Sequence, residues 1–153
     1  MWPFDFVLEY KVKLWITWLE MTLTVHNLNP IAIEFQSLSH NYIHVNNIVK
    51  DGLQISGLQG VDYFDKMTKT NHTETRESFG ISLMREGQKS IYTPTDGVIC
   101  NPWIERAANM TDFKDDEYLY MIAIEPGKVI EQQVLEPGTS YKLNQLIMVS
   151  KGF

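Results

Sequence analysis

Alternation of apolar and polar residues dominates the chain. From Phe4 to Leu14, the residues Phe6, Leu8, Tyr10 and Val12 fall on one face, while Asp5, Glu9, Lys11 and Lys13 fall mostly on the other, which predicts a half-buried strand. The same period returns from Leu19 to His26, where Leu19, Met21, Leu23 and Val25 interleave with Glu20, Thr22, Thr24 and His26, predicting an antiparallel neighbour. The link between them, Trp15-Ile16-Thr17-Trp18, holds no Gly, Asn or Asp, so ordinary hairpin chemistry does not account for it.

After Asn27-Leu28-Asn29-Pro30, shorter extended runs are expected at Ile31 to Leu38, Tyr42 to Val45 and Leu53 to Ser56, punctuated by Asn46-Asn47 and Asp51-Gly52. The polar stretch Lys66 to Glu77 reads as a surface loop, with strands resuming at Ile81 to Met84 and around Ser90 to Thr93. One short helix is predicted after Asn101-Pro102, with Asn101 as N-cap, Pro102 in the first helical position and an end before Asp112. The apolar run Glu117 to Glu125 predicts a strand buried on both faces and stopped by Pro126-Gly127. A second Pro-Gly, at Pro137-Gly138, precedes a final strand from Tyr141 to Val149. Short strands with tight punctuation make the chain all-β, a sandwich by class, and without internal repeat or linker it reads as one domain over residues 1–153.

Composition narrows the partners. With 44% hydrophobic residues over 153 positions the chain can bury a core, and a net charge of −6 without a Lys/Arg track argues against nucleic acid. No apolar run reaches the roughly 18 residues of a membrane helix, and the acidic start, with Asp5 and Glu9, is unlike a secretion signal, so a cytoplasmic protein off the membrane is expected. The two sequons, at Asn71 and Asn109, are then chance matches. The single Cys100 excludes an internal disulfide and a multi-cysteine metal site; with no base evident beside it, it reads as a small hydrophobe.

A few side chains could carry chemistry. His40 and His44 have the spacing of a helical metal pair, but in extended chain four residues span about 13 Å, too far for joint ligation, so no metal site is expected. Glu125 closes an apolar strand, where burial would make it a candidate base, against the alternative of a strand end pointing into water. Asp65 could accept from a ligand hydroxyl or serve as a turn residue. Trp103 could stack on a sugar face or anchor its helix in the core.

Collinear segments carry a further signal: Trp2-Pro3-Phe4-Asp5-Phe6, Leu23-Thr24-Val25-His26-Asn27, Ser39-His40-Asn41-Tyr42, Gly57-Leu58-Gln59-Gly60 with Tyr63-Phe64-Asp65-Lys66, Asn101-Pro102-Trp103-Ile104-Glu105, Asp112-Phe113 through Glu117-Tyr118, and Ile124-Glu125-Pro126-Gly127. In this order they resemble the C-terminal part of the hexose-6-phosphate mutarotases, or glucose-6-phosphate 1-epimerases, of the aldose 1-epimerase superfamily. The resemblance implies a galactose-mutarotase-like β-sandwich, N-terminally truncated, that interconverts the α and β anomers of a hexose 6-phosphate without metal or organic cofactor. It implies His40 as general acid, Glu125 as general base and Asp65 as a contact to sugar hydroxyls, and a sugar phosphate as the small-molecule partner.

Four departures qualify that expectation. The N-terminal strands of the family, with their basic and histidine residues, have no counterpart here, and a second gap falls near Thr93 to Gly97. Asn41 stands where the family motif usually has Thr, and Lys89-Ser90 where an Asp-Arg pair is common. Phosphate recognition is therefore expected to be weaker, with Arg76 or Arg106 the cations able to form a local site, and uncovered sheet edges are expected to favour self-association. The alternative reading is a catalytically inactive carbohydrate-binding or regulatory protein.

Overall fold

The computed structural model describes residues 2–50, 53–66, 68–80, 89–92 and 96–148. The chain divides into two compact units, residues 1–37 with 128–153, and residues 38–127.

The first unit is built on the three-stranded antiparallel sheet β1 (Phe6–Leu14), β2 (Trp18–Asn27) and β12 (Ser140–Met148), with β2 in the middle. Leu14 lies opposite Leu19, so only four residues close the first hairpin. The Trp15 amide donates to the Trp18 carbonyl at 2.8 Å and the two indoles stack nearly parallel, which supplies the closure that Gly or Asn usually gives. Buried Asn27 ends β2: its amide nitrogen donates to the Ile31 and Leu135 carbonyls, and its oxygen accepts from Asn29. β3 (Ile33–Leu38) runs beside the later part of β11 (Met121–Leu135), where Gln36 donates to the Val129 carbonyl. Val25, Ile33 and Leu135 form the core here, flanked by Phe4, Leu23, Phe35 and Tyr141. β1 departs from expectation, since every one of its positions is exposed, not only the charged row. Alternation predicts which residues share a face, whereas burial needs something to cover that face.

In the second unit, β4 (Tyr42–His44) and β10 (Gly97–Cys100) flank the start of β11 antiparallel, followed outward from β10 by β9 (Lys89–Tyr92), β6 (Asp62–Asp65) and β7 (Thr70–Thr73). β5 (Gln54–Ser56) pairs with β8 (Ser78–Gly80). The expected strand at Ile81 to Met84 lies outside the described residues.

Three expectations are corrected. The strand expected from Glu117 to Glu125 neither starts nor stops where expected: Glu117–Tyr120 form a 3-10 turn, β11 runs from Met121 through Pro126-Gly127 to Leu135, and Tyr120 and Ile124 are exposed rather than buried. Proline is tolerated because the β10 ladder ends at that pair, Gly97 opposite Pro126, so no N–H is missed there. The Pro126 carbonyl accepts from Ser39, and Gly127 donates to Asp96. The Lys66–Glu77 stretch is not all loop, since Thr70–Thr73 pairs with β6 as an exposed strand held by backbone pairing rather than by an apolar face. The helix, α1 (Trp103–Ala107), starts one residue later than expected, with Pro102 as its N-cap. No helix among the described residues is long and apolar enough to cross a membrane.

Candidate active site

Strand parity divides the second unit into two faces. Paired residues in an antiparallel sheet share a face, and successive residues alternate. Ile43, Ile122 and Ile99 stand on one side, packed with buried Ile48 and with Trp103 and Tyr118 into the core. The residues between them therefore face the other way. Tyr42, Ala123 and Cys100 form a row across three strands, with Met121 and Glu125 before and after Ala123 on β11. That face lines a small, partly open cavity bounded by His40, Tyr42, Cys100, Asn101, Pro102, Arg106, Met110, Met121 and Glu125.

Glu125 is not at a strand end. It sits inside β11 opposite Val98, with its side chain fully buried. A Cβ added to Gly97 would meet the Glu125 carbonyl oxygen at 3.2 Å, so glycine lets β10 close tightly against this position. His40 lies just before β4, between two anchored neighbours. The Ser39 amide donates to the Pro126 carbonyl, and the Asn41 side chain and backbone hold both polar groups of Ile124. These clamps place His40 Nε2 3.0 Å from Glu125 Oε1. The contact has ion-pair distance without hydrogen-bond alignment, and neither carboxylate oxygen of Glu125 accepts a hydrogen bond among the described residues.

The roof is set by Asn101. Its amide nitrogen donates to the Tyr118 and Met121 carbonyls, and its oxygen accepts the Trp103 N–H, fixing the start of α1. Arg106, in the last turn of α1, and Met110 complete the lining. Tyr42 packs against His40, ring centroids 5.1 Å apart. Burial, reinforced by the negative charges of Cys100, Glu125 and Asp112, pushes the Tyr42 phenol up from its ordinary 10.0, so it stays a hydrogen-bond donor at neutral pH.

His40 and Glu125 are thus brought together, while Asp65 and Trp103 are not among the residues lining this cavity. Asp65 is buried at the end of β6, and Trp103 packs against the isoleucine core and the Tyr118 ring. Of the two candidate cations, Arg76 is held by Glu74, and Arg106 lies at the cavity. The sequence reading missed Tyr42, Asn101 and Met121 as lining residues and took Cys100 for core. Tyr42 carried a signal, since in extended chain it shares a face with His40 two residues earlier.

Comparison with known proteins follows the same lines. No protein-family model matches the chain. It is 27% identical over 167 aligned positions to a protein of Cenchrus ciliaris named "Putative glucose-6-phosphate 1-epimerase", covering 92% of this chain and 50% of that one. Among solved structures it superposes on a "putative mutarotase (YeaD)" from Salmonella typhimurium with a TM-score of 0.84 at 22% identity, covering 99% of this chain and 56% of that one. A "galactose mutarotase related enzyme" from Lactobacillus acidophilus follows at TM-score 0.54 and 12% identity, covering 97% and 63%. The chain therefore has an all-β, galactose-mutarotase-like fold. Its resemblance is to the mutarotase-like superfamily, and it spans about half the length of the curated relative it matches.

Proposed function

We propose that this chain carries an acid–base site that interconverts the α and β anomers of a hexose 6-phosphate. The observation that supports this reading best is the His40–Glu125 pair, 3.0 Å apart, with the carboxylate buried at a cavity and free of competing hydrogen bonds among the described residues. Opening a cyclic hemiacetal requires a proton to leave the C1 hydroxyl while another reaches the ring oxygen. Both oxygens are bonded to the same carbon, so acid and base must be neighbours. Glu125 takes the hydroxyl proton and the imidazolium of His40 delivers one to the ring oxygen, as the C1–ring-oxygen bond breaks and the aldehyde forms. Rotation about C1–C2 presents the other carbonyl face. His40 then removes the proton from the hydroxyl that closes the ring, the protonated carboxyl of Glu125 returns its own to the carbonyl oxygen, and both groups regain their starting states.

Arg106 is the cation at the cavity available to the sugar's phosphate, and the cytosol is the compartment this reading assigns. In this reading Asp65 and Trp103 support the strands and helix around the cavity rather than touch the sugar. A second reading, carbohydrate binding without turnover, is favoured by the His40–Glu125 contact, which has ion-pair distance without hydrogen-bond alignment. Anomer exchange of glucose 6-phosphate, followed by NMR against the spontaneous rate and paired with a binding titration, tests both. Exchange above background supports the first, saturable binding without exchange the second, and neither result removes both.

A further inference from the structure

We propose that Asn41 is a positioning residue for the acid–base pair, its side-chain amide tying together the two backbone segments that carry His40 and Glu125. The effect of this tie on rate rests on the acid–base reading above, whereas its effect on the geometry of the pair does not. The Asn41 amide nitrogen has two hydrogens and both are used, one donated to the Ser39 carbonyl and one to the Ile124 carbonyl, each at 3.0 Å. Ser39 immediately precedes His40, and Ile124 immediately precedes Glu125. A single planar group therefore spans the two backbones one residue before each reacting side chain. Ile124 is held through its other polar group as well, its N–H donating to the Asn41 backbone carbonyl at 3.2 Å. The same contacts set the orientation of the amide. Its oxygen accepts from the Ser39 hydroxyl, and turned over it would meet two carbonyl oxygens.

Asn41 is not among the residues lining the cavity, so it acts through its neighbours and not on the sugar. What it controls is the 3.0 Å separation of His40 Nε2 and Glu125 Oε1. His40 lies outside β4, whose ladder to β11 ends with Tyr42 opposite Ala123, so strand pairing by itself does not fix the imidazole. A threonine at position 41 has one hydroxyl hydrogen and reaches at most one of the two carbonyls; the double tie needs the amide. The Ser39 amide donates to the Pro126 carbonyl at 2.9 Å independently of the Asn41 side chain. Substitutions at position 41 therefore leave the segment docked and loosen the placement of His40 against Glu125.

Two variants of the whole chain test this: Asn41→Ala removes both side-chain ties, and Asn41→Thr keeps one at most. In anomer exchange of glucose 6-phosphate, the saturating rate of Asn41→Ala, corrected for the folded fraction, should fall by about ten- to a hundredfold, the loss that a misplacement of about 1 Å produces. KM should stay nearly unchanged, because the sugar does not touch the amide, and Asn41→Thr should lose less than Asn41→Ala. NMR without substrate reads the geometry separately. The His40 ring resonances, assigned by their loss in His40→Asn, should shift when Glu125→Gln is made in the unsubstituted chain. Most of that response should disappear in the Asn41→Ala background, whereas an amide that only held up the fold would leave it intact in folded protein. Should Asn41→Ala fail to fold, Asn41→Thr carries both measurements, with a smaller loss expected in each. If the chain shows no exchange above background, the acid–base function fails and the NMR response alone decides the role of Asn41. A response to Glu125→Gln that is undiminished in the folded Asn41 variant overturns the proposal, as does an active chain whose saturating rate the variant leaves unchanged. A His40 ring that does not respond to Glu125→Gln in the unsubstituted chain overturns it too, since there is then no pair to position.

Discussion

Two carboxylates, Glu74 and Glu125, are buried in the same compact unit, and their surroundings differ in kind. Glu74 is closed: Arg76 gives it a backbone N–H at 3.0 Å, Nε at 2.8 Å and Nη2 at 2.7 Å. That bidentate guanidinium contact holds the Glu74 carboxyl below its ordinary range. Glu125 is open: its close polar neighbour is His40, at a cavity, and neither of its oxygens accepts a hydrogen bond among the described residues. A buried acid whose acceptors are filled stabilises a fold, whereas one whose acceptors are empty lowers stability and stands open to a ligand or water. Burial alone does not tell the two apart.

The largest expected effect is on catalysis. Glu125→Gln keeps the shape and an acceptor oxygen but cannot take the C1 proton, and general acid–base groups contribute about 10²–10⁴-fold. Anomer exchange should therefore fall by at least about a hundredfold, while thermal unfolding stays level or rises because a poorly solvated carboxylate has been removed. His40→Asn should lose activity comparably, and the double variant should lose little more, since one proton-transfer sequence needs both groups. Retention of more than about a third of the rate by Glu125→Gln would take it out of the mechanism.

The converse is expected at Glu74. Glu74→Ala removes the carboxylate that accepts the Arg76 backbone N–H, Nε and Nη2 and should cost about 1–3 kcal/mol in chemical denaturation, tempered because the Arg76 side chain is 46% exposed and can be hydrated. The exchange rate of the folded fraction should not change. A rate loss larger than the loss of folded protein would erase the distinction between the two acids.

How much of this was legible in the sequence follows from the same physics. The alternation of β1 and β2, the strand residues Met121 to Glu125 and the final strand were readable, because side-chain period is a local property, whereas the 3-10 turn at Glu117–Tyr120 was not. What each strand covers is not local. β1 alternates like a half-buried strand and is exposed, and Glu125 was placed at a strand end that the continuation of β11 through Pro126 turns into a strand interior. The pairing of His40 with Glu125 rests on β4–β11 register and on the Asn41 clamp to Ile124, neither of which a single sequence encodes visibly. Only resemblance suggested it. Asp65 and Trp103 had turn and core alternatives, and their positions at the end of β6 and on the isoleucine core match those alternatives more simply than a place in the cavity.

Acid should act through Glu74 in a predictable direction. A folded-state pKa below the ordinary 4.5 means the contribution is fully present above 4.5 and is lost as pH falls through the lowered value. The gap in unfolding free energy between the unsubstituted chain and Glu74→Ala should therefore be constant from neutral pH down to about 5 and narrow below 4.5. The half-buried Glu20, held low by Lys13, is common to both chains and cancels in the difference. A gap that is unchanged in acid would mean that the carboxylate charge is not what Arg76 recognises.

The smallest expected effect concerns Tyr42, which carries the one hydroxyl in the cavity lining among the described residues. Tyr42→Phe keeps the ring that packs on His40 and on Phe113, and the residue is 50% exposed, so unfolding should shift little. What is lost is a neutral donor able to bind a sugar hydroxyl, and a single such bond contributes about 0.5–1.5 kcal/mol, or roughly a two- to twelvefold change in affinity. Because burial lifts the phenol above 10.0, the hydroxyl stays protonated throughout the working range, and the difference between the two proteins should be flat from about pH 6 to pH 9. The loss should appear in substrate affinity, with the rate at saturation nearly unchanged, as expected for a contact made equally in ground and transition states. A fall in the saturating rate of more than about tenfold would instead put Tyr42 beside His40 in the proton transfer, and the pair at Glu125 would have to be redrawn as a triad.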